Sequence, residues 1–185
     1  MATRSTDPRR LNVEAFARDH ATLEGTERLA SLSRLVASAH PEVPPGAADS
    51  VAWQAHGEVR QPHSIAPQPW LRIVAHAEMA LQCQRCLGPV DAALDVDRWF
   101  RFAHNEDEAA ALDAQVETDV LALGRPLDLL ALVEDELLLA LPLVPRHERC
   151  PVPLPMASSA EIEDEDEPPN PFAALGALKR HGGAS

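Results

Sequence analysis

The sequence predicts an α+β fold, in which an antiparallel β-sheet of about four to six strands packs against one or two helices. Two long stretches alternate between apolar and polar residues over most of their length, which indicates half-buried strands. A leucine-rich stretch with helical spacing follows them. Strands followed by a helix are typical of α+β proteins rather than of proteins with alternating strands and helices.

The first element suggested by the spacing is a helix. Thr26 can cap it, and the apolar residues Leu29, Leu32 and Val36 then recur at three- and four-residue intervals. The following stretch, LVASAHPEVPPGAAD at 35–49, contains three prolines and a glycine. Because proline and glycine interrupt regular structure, this stretch predicts a loop.

Four stretches predict the strands of the sheet. In WLRIVAHAEMAL (70–81) and LDVDRWFRF (94–102), apolar residues occupy every second position over most of the length. Less regular candidates are SVAWQAHGEV (50–59) and VETDVLAL (116–123), of which the second follows an acidic, alanine-rich insert at 104–115. The two best strands are close in sequence, so we expect them to form a hairpin.

The predicted hairpin turn carries a pair of cysteines. QCQRCLGPV (82–90) places Cys83 at the end of one strand and Cys86 in the turn, which Gly88 and Pro89 favour. This spacing is that of half a zinc site or of a redox pair, and His147 with Cys150 would supply the two further ligands that a closed zinc site needs. Two small thiols that pack the turn are the simpler interpretation, which we favour over zinc on sequence alone. A redox pair lacks its usual βαβ context.

The segment PLDLLALVEDELLLALP (126–142) predicts a helix of about four turns, with Pro126 in its first turn and Pro142 at its end. Its apolar stripe consists of Leu130, Val133, Leu137 and Leu141. The consecutive carboxylates Glu134, Asp135 and Glu136 fan around the helix, so they indicate a solvated or protein-contacting acidic face rather than a pair of catalytic acids.

The chain divides into a domain and a tail by composition. We expect a folded domain at 11–150, a disordered Pro-rich and acidic linker at 151–169, and a short amphipathic docking helix at 170–181. In this last segment Asn170 can cap the helix and Pro171 suits its first position, while Phe172 and Leu175 lie three residues apart.

Composition excludes several functional classes. The 16 basic and 29 acidic residues give a net charge of −13, which disfavours bare phosphate backbones and anionic membranes and favours a basic protein partner. No apolar run is long enough to span a bilayer and no apolar leader begins the chain, so we expect a cytoplasmic protein without a membrane contact. Phosphate-binding loops, nucleophile elbows and dinucleotide glycine patterns do not occur in the sequence, which predicts a non-enzymatic protein without a small-molecule substrate.

Several segments together resemble the YceD family of bacterial and chloroplast proteins. They are CQRCLGP (83–89), LLALVEDELLLALPLVPRHERC (129–150), NPFAALGALK (170–179) and, less closely, LEGTERLASLSRL (23–35). The resemblance implies a role in accumulation of 23S ribosomal RNA during large-subunit assembly, through its synthesis, processing or stability, and no known catalytic activity. It also implies that the stretch through LEGT is a strand and that the helix begins nearer Ser31.

Three hypotheses about mechanism remain open at this stage. The one we prefer is that an acidic protein supports ribosomal RNA through a basic ribosomal protein or processing factor. The candidate contact residues are Arg85, Glu134, Asp135, Glu136, Asn170, Pro171, Phe172 and Leu175. The alternatives are a direct RNA binder, with a basic patch on the sheet formed by Arg72, Arg85, Arg98 and Arg101, and a small zinc-stabilised adaptor.

Overall fold

The computed structural model describes residues 6–61 and 66–151. Its central element is a five-stranded sheet in the order β1-β2-β3-β4-β5. The strands are β1 (Thr22–Arg28), β2 (Ser50–Arg60), β3 (Gln68–Gln82), β4 (Pro89–Ala103) and β5 (Val120–Ala122). β1 to β4 pair antiparallel with their sequence neighbours, whereas β5 pairs parallel with β4, so the sheet is mixed.

Helices accompany the sheet before, within and after its strands. They are α1 (Val13–Arg18), α2 (Ser33–Val36), α3 (Glu106–Asp113) and α4 (Leu129–Leu139). Three of them begin at a side-chain cap, because Asn12, Asn105 and Asp128 each accept a hydrogen bond from the backbone N–H three residues later. The predicted α+β class is therefore confirmed.

The alternation of β3 decides which side of the sheet is buried. Its odd-numbered residues from Leu71 to Leu81 are buried, and we call the side to which they point the inner face. The even-numbered residues point to the opposite, outer face, and those from Arg72 to Glu78 are exposed. The predicted strand 94–102 lies within β4, where Leu94, Val96, Phe100 and Phe102 share the inner face.

The core lies between the inner face and two helices. Leu130, Val133 and Leu137 of α4 belong to the same buried cluster as the inner-face side chains of β3 and β4. At the other end α1 packs on β2 at Gly57, where an added Cβ would lie 2.6 Å from the Phe16 ring. The absence of a side chain at this position therefore lets α1 approach the sheet closely.

At the ends of the sheet, one prediction about secondary structure is wrong and another is confirmed over only part of its length. No helix begins at Thr26, which lies in β1 and pairs with Ala52. The strand through LEGT is present as β1, and the helical segment that follows is α2, beginning at Ser33, as the resemblance implied. The stretch 116–123 forms only the short β5, and most of the insert at 104–115 is α3, the crossover that a parallel strand pair requires.

The predicted long helix is present but begins later than expected. Asp128 is the N-cap of α4, so Pro126 precedes the helix rather than lying in its first turn. Among residues 6–61 and 66–151, no helix is long and apolar enough to cross a membrane. The predicted linker from residue 152 onward and the predicted docking helix at 170–181 lie outside the described residues.

Candidate functional site

The β3–β4 hairpin ends in a tight turn that carries the two cysteines. The N–H of Cys83 donates to the Gly88 carbonyl and the N–H of Leu87 donates to the Cys83 carbonyl, both at 2.9 Å. Leu87 has a φ of 61°, in the left-handed region that bulky residues rarely occupy. The turn therefore has a specific backbone conformation, which folds the chain back so that Cys83 and Cys86 lie close together.

Four possible ligand atoms meet at this turn. The Sγ atoms of Cys83, Cys86 and Cys150 and a ring nitrogen of His147 all lie within 4.8 Å of one another. Cys86 Sγ is 3.5 Å from His147 Nδ1, although the two residues are 61 positions apart in the chain. Cys83 is fully buried, and the other three are partly exposed. The structure thus brings together all four residues named as candidate ligands, and they form a possible metal site.

A second contact orients the imidazole of His147. Its Nε2 lies 2.9 Å from the carbonyl oxygen of Pro89, which can only accept, so Nε2 carries the proton. Nδ1 then presents its lone pair toward the thiols. The N–H of Gln84 donates to the Pro145 carbonyl at 2.8 Å, which joins the same segment to the hairpin just before His147.

The environment of the cluster lowers the pKa of one of its thiols and raises the pKa of another. Burial raises the pKa of the Cys83 thiol, but hydrogen bonds from the backbone N–H groups of Cys86, His147 and Arg85 outweigh it and lower the pKa to about 5. Burial raises the pKa of Cys150, and its hydrogen bonds with the other two sulfur atoms raise it further. Three thiols in one cluster therefore do not all ionise readily without a cation between them.

A buried histidine that sequence reasoning missed supports the turn. His40 is 3% exposed, and its Nε2 lies 3.0 Å from the Leu87 carbonyl. Its backbone N–H donates to Ala80 of β3. His40 lies within the predicted loop at 35–49 and shares no motif with the cysteines, so only the folded structure reveals that it holds the left-handed residue Leu87 in place.

Two of the three consecutive acidic residues of α4 are buried in the domain rather than exposed on its surface. Glu134 is 8% exposed and accepts hydrogen bonds from the backbone N–H groups of Arg34 and Leu35 in α2, at 2.8 and 3.2 Å. Its other oxygen accepts from the Arg34 guanidinium, which also pairs with the half-exposed Asp135. Glu136 is buried too. The expectation that all three carboxylates face solvent is therefore corrected: helical geometry turns two of them toward the body of the domain.

The four arginines of the predicted basic patch do not form one. Arg72 makes two hydrogen bonds with Asp97 on the outer face, at 2.7 and 2.6 Å, whereas Arg98 pairs with Asp119 and lies opposite the inner-face residue Ile73. Arg101 is 5% exposed and donates to Gln68. Arg85 is exposed on the hairpin turn, away from the others. Strand alternation separates Arg98, which points to the inner face, from Arg72 and Arg101, which lie on the outer face.

The indole rings of the outer face are covered by an arginine. The Arg60 guanidinium lies 3.8 Å from the ring centre of Trp99 and 4.5 Å from that of Trp70. The two rings themselves meet edge to face at 6.4 Å. Such cation–π contacts hold the rings in a packed group, which leaves little of their faces for stacking on nucleic-acid bases.

The comparisons with known proteins agree on one family. Residues 71–179 match the family model described as Large ribosomal RNA subunit accumulation protein YceD. A relative of the same name from Haemophilus influenzae is 37% identical over 106 residues, which cover 56% of this chain and 61% of the relative. The chain therefore aligns with less than two thirds of that relative, and no solved structure matches it. Since the family match covers more than half of the chain, including α4 and all four residues of the cluster, this chain belongs to the YceD family.

Proposed function

We propose that this chain is a non-enzymatic ribosome-biogenesis factor that the cell needs for normal accumulation of 23S ribosomal RNA in the large subunit. The family match over residues 71–179 carries the proposal. It includes β4, α4 and the four residues of the cysteine–histidine cluster. The candidate functional site therefore lies within the part of the chain that matches the family. The named relative from Haemophilus influenzae supports the same role.

We further propose that the chain acts through a basic protein, such as a basic ribosomal protein or an RNA-processing factor. The net charge of −13 supports a basic partner. The outer face of the sheet suits this contact, because α1 and α4 pack on the inner face instead. It exposes the carboxylates of Glu24, Glu78, Asp91 and Asp95. The other predicted contact residues, Asn170, Pro171, Phe172 and Leu175, lie outside the described residues and stay a prediction.

Direct binding to RNA is the weaker candidate for the same role. Arg72 and Arg98 are paired with carboxylates and Arg101 is buried, so within the described residues of the proposed patch only Arg85 offers an exposed cation without such a pair. A single arginine supplies one phosphate contact, whereas tight RNA binders neutralise several phosphates. These observations favour a protein partner over RNA.

A second function is favoured by one observation, the cluster at the hairpin. Three cysteines and a histidine at one turn would suit a small zinc-stabilised adaptor with a role outside ribosome assembly. The presence of zinc would not distinguish the two functions, because a ribosome-biogenesis factor could carry the same structural ion. The level of 23S RNA in cells depleted of the protein distinguishes them.

The first experiment is depletion of the protein from its own cells. We expect the ratio of 23S to 16S RNA to fall and free large subunits to decrease in sucrose gradients, while the small subunit accumulates normally. Re-expression of the full chain should restore both. Unchanged RNA ratios and unchanged subunit profiles after complete depletion would rule out the proposed role and favour the adaptor.

A cross-linking experiment then tests the kind of partner. We expect the full chain to cross-link to a basic protein of the large subunit or of its assembly pathway, and the contact to survive treatment with ribonuclease. Loss of every cross-link after that treatment, together with direct ultraviolet cross-links from the chain to 23S RNA, would favour the RNA-binding alternative.

A further inference from the structure

We propose that Cys83, Cys86, His147 and Cys150 bind one structural zinc ion, which fastens the segment after α4 to the β3–β4 hairpin. This inference does not depend on the role in RNA accumulation, because it concerns how the domain is held together. It rests on the geometry of the four side chains, on the groups around them and on the weakness of the remaining contacts of the segment.

The spacing of the ligand atoms suits tetrahedral zinc. With Zn–S and Zn–N bonds of about 2.3 and 2.0 Å, a tetrahedral site places a sulfur and a nitrogen ligand about 3.5 Å apart. Cys86 Sγ and His147 Nδ1 lie at 3.5 Å, and all four ligand atoms lie within 4.8 Å of one another. Sulfur atoms of a tetrahedral zinc site lie about 3.8 Å apart, so the widest separation in the cluster would contract by about 1 Å on binding.

The groups around the cluster are those that a zinc ligand set needs. The Nε2–H of His147 donates to the Pro89 carbonyl, so the lone pair of Nδ1 faces the three sulfur atoms. The turn that carries Cys83 and Cys86 is held by the contact of His40 with the Leu87 carbonyl and by the bond from the Leu87 N–H to the Cys83 carbonyl.

A disulfide explains the cluster less well than a metal does. All three cysteines are free thiols, and one disulfide would leave the third thiol and the imidazole oriented toward a bond that excludes them. A set of three thiolates and one neutral imidazole is instead one of the common closed zinc sites, with no position left for a substrate. The ion is therefore structural rather than catalytic.

The segment after α4 needs such a fastening. Residues 141–151 form no helix or strand, and they expose the apolar side chains of Leu143 and Val144. Apart from the contacts with the sulfur atoms of the cluster, the hydrogen bonds of the described residues join this segment to the hairpin at Gln84–Pro145 and His147–Pro89. Two such bonds in a largely exposed segment do not by themselves fix the side chains of His147 and Cys150 at ligand distance, whereas zinc coordination does.

The test is the metal content of the full chain, produced without a polyhistidine tag in zinc-containing medium and kept reduced. We expect about one zinc ion per chain by mass spectrometry. Replacement of zinc with Co²⁺ should give the strong visible absorption of a tetrahedral cobalt–thiolate site. Removal of zinc by a chelator should lower the melting temperature and make all three thiols reactive.

Variants at one ligand distinguish coordination from general stability. We expect His147→Ala to lose most of the zinc, and His147→Cys to retain it because a fourth thiolate can replace the imidazole. His104→Ala is the matched control, since His104 is exposed and lies outside the cluster, and it should keep the full zinc content.

Two results would overturn the proposal. One is a folded wild-type chain that contains no zinc and binds no Co²⁺, whether its cysteines are free or form a disulfide. The other is full zinc content in His147→Ala, which would place any bound metal elsewhere. The wild-type measurement keeps the proposal testable even where a cysteine variant fails to fold.

Discussion

At the scale of single residues, Glu134 connects two distant parts of the chain. One of its oxygens accepts from two N–H groups at the start of α2, and the other accepts from the Arg34 side chain. Burial raises the pKa of the Glu134 carboxyl, but the Arg34 guanidinium and these N–H groups outweigh it and hold the pKa below its ordinary value of 4.5. Glu134 is therefore a charged residue that the fold needs in its ionised form.

We expect Glu134→Ala to lower the free energy of unfolding by about 2–3 kcal/mol at neutral pH, because it leaves the backbone N–H groups of Arg34 and Leu35 without their acceptor. The matched control is Asp135→Ala, which removes a more exposed partner of the same arginine and should cost about 1 kcal/mol or less. Urea denaturation of both variants and of the wild type measures the difference. Equal losses would contradict the role assigned to Glu134.

The same carboxylate predicts a pH dependence. Its pKa is lower in the folded state, so its stabilisation is complete above about pH 4.5 and is lost as the pH falls through the folded-state pKa. The difference in unfolding free energy between the wild type and Glu134→Gln should therefore shrink in acid. A difference that stays constant over this range would mean that the charge of Glu134 does not contribute.

At the scale of elements, the approach of α1 to β2 depends on a glycine. A Cβ at Gly57 would lie 2.6 Å from the Phe16 ring and 2.9 Å from the Cα of Ala17. Because a backbone atom cannot move aside as a flexible side chain can, a larger residue would push the helix away from the sheet.

We expect Gly57→Ala to lower the free energy of unfolding by about 1–3 kcal/mol through overpacking. Gly124→Ala is the matched control, because nothing lies within 4 Å of a Cβ there and the glycine does not have a positive φ. That control should change the unfolding free energy by less than about 1 kcal/mol, with a slight gain. An unchanged free energy of unfolding in Gly57→Ala would show that α1 can shift away from the sheet without loss of stability.

At the scale of the whole molecule, the two faces of the sheet differ in what covers them and in their exposed charge. The inner face is covered by α1 and α4, and the outer face carries carboxylates on β1, β3 and β4. Several outer-face charges are already balanced, such as Asp97 by Arg72. Glu24, Glu78 and Asp91 form the exposed acidic set that we expect a basic partner to contact.

We expect the triple variant Glu24→Lys, Glu78→Lys and Asp91→Lys to fold normally and to lose cross-linking to the basic partner. The matched control reverses three exposed charges on α3, with Glu106→Lys, Asp107→Lys and Asp113→Lys, and should retain it. Binding by the wild type should also weaken as salt is raised, since screening reduces the attraction between exposed charges. Loss of binding in the control variant alone would move the contact to α3.

The sequence by itself determined the parts of the fold that local patterns encode. Alternation of apolar residues along β3 and β4 decides which side chains are buried, because neighbouring positions in a strand point to opposite faces. The hairpin follows from the turn residues between these strands, and the apolar stripe of α4 follows from helical periodicity. The four ligand residues could also be named from their types and spacing.

Only the tertiary structure decided what distant segments do together. Elements as short as β5 and α1 have too few residues for a clear periodicity, so their conformation depends on packing against β4 and β2. The burial of Glu134, Glu136 and Arg101 likewise depends on neighbours that are far away in sequence. The approach of His147 and Cys150 to the cysteine pair is of the same kind, because it requires the finished sheet and α4 to direct the chain back to the hairpin.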